Sequence, residues 1–136
     1  MTQKEKENYI RDKISFWQQI LKLENWEIDF KIIDKLKIES PYANIEILWD
    51  AQKAIVEISE RCPDEELDIS IIHELAHIVT HPIAMFAEDI ISELCEQKTQ
   101  RILKNEINLK EENAVGKLSK AFLELDSVKK ISKNNQ

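Results

Sequence analysis

Glycine is almost missing from this chain of 136 residues: Gly116 stands alone, beside three prolines and two cysteines. Such scarcity argues against a turn-rich all-β fold, whose tight connections draw on residues tolerant of positive φ, and favours long helices. Cys62 and Cys95 are separated by 33 positions with no CxxC pair. That spacing suits neither a disulfide scaffold nor a thiolate zinc site and leaves two reduced, packing thiols. No stretch approaches the 18 apolar residues of a membrane span, and the charged start Met1-Thr2-Gln3-Lys4-Glu5 is followed by no apolar segment of a secretion signal. A cytoplasmic protein without membrane contact is expected. Bases are outnumbered, 19 against 26 acids, for a net charge of −7 and a pI near 5.1. This balance argues against general binding to nucleic acid or an anionic membrane, which needs a concentrated basic face.

What the chain does contain is periodic. Its length predicts one domain over residues 1–136, with a frayed tail at about 132–136, and nothing in the composition sets an oligomeric state. Ile10, Ile14, Trp17 and Leu21 recur at helical spacing and predict an amphipathic helix over residues 4–23. Trp26, Ile28, Phe30 and Ile32 then alternate with charged residues, the period of a strand with one buried face. Ala43, Ile45, Ile47 and Trp49 predict a second strand, and residues 54–58 a third, a hairpin partner of the second and a candidate sheet edge. From about residue 63, after Pro63 and three acids, a helix is expected that is apolar on nearly every side and therefore buried. Pro82 is expected to end or bend it; further helices are read over residues 86–105 and around Val115, Leu118, Phe122 and Leu125. The fold class is α+β, with a small, mostly antiparallel three-stranded sheet.

On the buried helix stands His73-Glu74-Leu75-Ala76-His77, an HExxH motif that uses two of the chain's three histidines. Residues four apart share one helix face at a separation of roughly 6 Å along the axis, so both imidazoles can converge on one cation. Zn²⁺ accepts neutral imidazole and lowers the pKa of a bound water to about 7. Glu74 follows the first ligand and is placed to act as general base toward such a water. Burying three such side chains without partners costs on the order of several kcal/mol, and a metal ion would meet that cost. His81 extends the row, but eight residues advance a helix by about 12 Å, too far for His73 and His81 to share one ion. His81 is read as an exposed residue at the helix end, with oxyanion stabilisation as its functional alternative; Tyr42 is a further candidate for substrate contact.

A catalytic zinc site normally has a third protein ligand. A metzincin would carry glycine at position 80 and histidine at 83, where this chain has Thr80 and Ile83. If the chain reverses at Pro82, Glu88, Asp89, Glu93 and Glu96 come within reach. With HExxH and the strands Trp26-Glu27-Ile28, Tyr42-Ala43-Asn44-Ile45 and Ala54-Ile55-Val56 in this order, the chain resembles the gluzincin branch of the zincin metallopeptidases over roughly residues 17–103. Small phage and bacterial members are the most similar. The resemblance implies a minimal zincin-like fold, a Zn²⁺ cofactor, hydrolysis of a peptide or protein substrate lying along a sheet edge, and a glutamate ligand on a following helix. Glu93 is favoured by its Ser-Glu context, and Glu96 fits the usual spacing of about twenty residues better. Gln97 stands where some gluzincins carry an aspartate that supports a histidine ligand. Two other readings stand beside peptide hydrolysis: a non-catalytic zinc-binding regulatory module of phage or mobile-element origin, and a structural helical interaction protein.

Overall fold

The computed structural model describes residues 1–34 and 42–134, which form an α+β fold. The helices are α1 (Gln3–Ile20), α2 (Leu67–Leu94) and α3 (Gln97–Asn134); the strands are β1 (Glu27–Ile33), β2 (Ala43–Leu48) and β3 (Lys53–Ser59). The chain divides between Leu75 and Ala76, inside α2, into two units, Met1–Leu75 and Ala76–Gln136.

In the first unit α1 starts from a reciprocal cap. The Thr2 hydroxyl accepts from the Glu5 backbone N–H, and the Glu5 carboxylate accepts from the Thr2 backbone N–H. Ile10, Ile14 and Trp17 form its buried stripe, as the helical spacing predicts. Tyr9 donates to Asp68 Oδ1 at 2.9 Å and Lys13 pairs with Asp68 at 3.7 Å, tying α1 to the first turn of α2. A single 3₁₀ turn, Asp64–Glu66, leads into α2 directly after Pro63, so the expected helix start is displaced by one turn.

The sheet order is β1-β3-β2, with β1 parallel and β2 antiparallel to β3. The expected hairpin is present, in the register Ala43↔Ile58 to Leu48↔Lys53. The sheet is mixed rather than mostly antiparallel, and β3 is its central strand rather than an edge. Burial accounts for the order: Ala54, Val56 and Ile58 are fully covered, whereas the inward residues of β1 are only half-buried. The left-handed backbone positions that usually attract glycine are occupied by Lys22 (φ 59°), just past α1, and Gln52 (φ 51°), in the hairpin turn. Both thiols are free; Cys62 is buried, and burial pushes its pKa up, in keeping with a packing role.

Helix α2 departs from expectation. It runs for 28 residues straight through Pro82, and the chain reverses at Cys95 and Glu96 instead. Proline removes one helical hydrogen bond at a cost of about 3 kcal/mol. Ala84, Ala87 and Ile91 nonetheless continue the helical apolar spacing on the far side, and no glycine lies near to release the chain. The end is set by a polar cap: Gln100 Nε2 donates to the carbonyls of Ser92 (3.1 Å) and Cys95 (2.7 Å). Because the helix is unbroken, Asp64–Leu94 measures 31 residues and contains an 18-residue window of mean hydropathy 1.3, so by length and composition alone it meets the measure of a membrane span that the shorter stretches did not. A largely covered core helix passes the same measure, and 39% of its most apolar window is buried. The helices expected over 86–105 and around 115–125 are likewise redistributed, the first split by the reversal and the rest merged into α3. The tail expected to fray is helical as far as Asn134; residues 135 and 136 lie outside the described residues.

Gly116 sits inside α3, and a Cβ built there meets nothing within 4 Å. Gly116→Ala should therefore raise stability by about 0.5–1 kcal/mol, since alanine restricts the unfolded chain and favours helix without a clash. A urea melt with an unchanged slope and a higher midpoint checks this.

Candidate metal centre

His73, Glu74, His77 and His81 lie on consecutive turns of α2. Glu74 is 5% exposed, and the three histidines are half-buried. Continuity of the helix fixes His73 and His77 one turn apart on one face, as HExxH requires.

In the second unit, α3 returns antiparallel to α2 and brings two adjacent carboxylates to this face. Glu111 Oε2 lies 3.2 Å from His77 Nδ1 and accepts from the Thr80 hydroxyl at 2.9 Å; its Oε1 lies 2.8 Å from His81 Nδ1. Glu112 Oε1 lies 3.1 Å from His77 Nε2. The His77 ring thus has a carboxylate at each nitrogen. With a cation at Nε2, the Nδ1–H still donates to Glu111, which fixes the tautomer and the ring plane of a ligating histidine. Burial pushes the Glu111 carboxyl up, but hydrogen bonds from His81, His77 and Thr80 outweigh it and hold the group below the usual carboxylate value. It is therefore an anion at neutral pH.

Among the described residues, the group able to supply three ligands to one metal ion is His73, His77 and Glu112. Two imidazoles and one carboxylate are a donor set that catalytic zinc accepts. The donor chemistry fits the ion.

The expected third ligand is placed elsewhere. Glu93 lies on α2 itself, 16 residues beyond His77, which is on the order of 24 Å along a helix axis. It is exposed, as is Glu96 at the reversal, and neither is brought to His77. A turn at Pro82 would bring either within reach; with the turn at Cys95, His77 stands 18 residues before it and Glu112 17 residues after it. That symmetry was the available signal, and it depended on knowing that α2 continues. His81 is corrected in the same way: it is an interior residue of α2 bonded to Glu111, not an exposed helix end. Tyr42 lies just before β2, where its carbonyl accepts from the Ser59 N–H at 2.8 Å.

No protein-family model matches the chain, and neither a curated protein nor a solved structure does.

A carboxyl whose folded pKa is depressed stabilises the fold above its unfolded value, and that contribution fades as pH falls through the folded value. Glu111→Gln in chelator-treated protein should thus cost about 1–3 kcal/mol at pH 7. The difference from the parent should shrink below about pH 4. Urea melts across pH check both; a constant difference would contradict the assignment.

Proposed function

We propose that this chain is a zinc-dependent peptide hydrolase in which His73, His77 and Glu112 hold the ion and Glu74 is the general base. The observation that carries the reading is the His77 ring, with Glu111 against Nδ1 and Glu112 against Nε2, one turn from His73 on the helix that bears HExxH. A surface histidine has no need of two carboxylates, whereas a ligating one uses the first for orientation and shares its cation with the second.

Zinc held by such a set would acidify a water and polarise the carbonyl under attack. The other roles fall to the chain. Glu74, next in sequence to His73 and nearly fully buried, takes the proton from the attacking water and returns it to the departing amine. Glu111 positions: anchored by Thr80 and His81, it holds His77 in one rotamer, and its negative charge strengthens the imidazole as a donor. A peptide as substrate follows from the resemblance of HExxH and the preceding strands to the gluzincins.

Metal analysis after reconstitution should find about one zinc per chain. Glu112→Ala should weaken that binding at least tenfold, while Glu93→Ala and Glu96→Ala leave it unchanged. Equal retention in all three variants would remove Glu112 from the site, and loss in Glu93→Ala alone would return the third ligand to α2.

Glu74→Gln should keep the zinc and lose hydrolysis of a quenched-fluorescent peptide library by roughly 10²–10⁴-fold, as removal of a general base does. Native rates in that variant would remove Glu74 from the chemistry. Full zinc occupancy with no cleavage by the parent chain would favour the non-catalytic module.

A further inference from the structure

The second unit leaves much of its apolar surface uncovered. Along α2, Ile83, Phe86, Ile90 and Leu94 recur at three- and four-residue intervals on one side of the helix, exposed at 75%, 68%, 42% and 79%. On α3, Ile102 and Leu109 share one side at a seven-residue interval and are also exposed. Against these, the unit buries only Ala76, Ile78, Ala84, Val115 and Ser119 among the described residues. Between the two helices runs a groove of about 470 Å³, lined mainly by Ala84, Ala87, Ile91, Leu103 and Ile107, whose small alanines leave it unfilled. Allowing roughly 200 Å² for each large apolar side chain, the exposed fractions of the flank amount to on the order of 800 Å². That exceeds the largest patch of a typical monomer, about 300–600 Å². It equals the share of roughly 800 Å² that each partner contributes to a standard interface.

We propose that this flank docks a second copy of the chain, α2 of one copy against α3 of the other, closing a twofold four-helix arrangement. Charge selects both the occupant and the pairing. Residues 82–94 of α2 carry Glu88, Asp89 and Glu93 with no base, whereas residues 97–110 of α3 carry Lys98, Arg101, Lys104 and Lys110 against the single acid Glu106. Setting α2 against α2 would oppose acid to acid. Pairing α2 with α3 is favourable, twofold symmetry makes that contact twice, and each helix then has neighbours of opposite sign. Two helices alone enclose no core, while four do, and side chains from the second copy supply the volume that the groove lacks.

Sedimentation equilibrium of the full chain tests this independently of zinc. At about 100 µM chain, where even a weak interface is occupied, the mass should be twice the 16.0 kDa of one chain. Ile83→Asp combined with Ile90→Asp should return it to one chain with unchanged helical circular dichroism. Should that variant lose helix, Leu94→Lys, at the most exposed position of the stripe, takes its place. A parent chain that sediments as a monomer overturns the inference, as does a dimer that survives these substitutions in folded protein. A monomer that co-sediments with phosphatidylcholine vesicles overturns it as well and assigns the flank to lipid.

Discussion

Everything about the candidate site follows from the persistence of α2 through Pro82. A helix interrupted there would place the next polypeptide segment against His77 within about ten residues. An uninterrupted one delays the return until Cys95, so that α3 presents Glu111 and Glu112 instead. The missing amide of proline is a fixed local loss of about 3 kcal/mol. Against it stands the spacing of Ala84, Ala87 and Ile91, which keeps an apolar face turned the same way for about two further turns, and the Gln100 cap that satisfies carbonyls where the helix does stop. A local penalty can be read from one residue, but the sum that offsets it is spread over many.

The same contrast explains what was legible in the sequence. Stretches whose structure is decided by their own periodicity were readable: the Ile10, Ile14 and Trp17 stripe, the alternation of β1 and β2, the β2–β3 hairpin and the spacing of His73 and His77. Each depends on neighbours within a few positions. The parallel pairing of β1 with β3 was not readable, since strand alternation is the same for either direction, and the fuller burial of β3 shows only once the partners are in place. The α+β class was apparent; the order and sense of its strands were not.

For the candidate site, the motif was apparent and its completion was not. HExxH is one helical turn, so helix geometry alone specifies it. Glu111 and Glu112 lie 34 and 35 residues beyond His77, and only the length of two helices and the place of a reversal bring them back. Glu93 had a persuasive local context, yet context within a helix says nothing about which helix it is. His81 shows the converse error. Its apparent position at a helix end made it unremarkable, whereas inside α2 it fastens Glu111 from the side opposite Thr80.

Glu111 and Glu112 are consecutive on α3, about 100° apart around its axis, yet they meet opposite nitrogens of one imidazole ring. A rotation of α3 by a single residue would put Lys110 or Asn113 in the place of one carboxylate, so the ring acts as a vernier on the azimuth of that helix. Whatever turns α3 must be registered at His77, and whatever seizes His77 must in turn lock the roll of a helix 38 residues long.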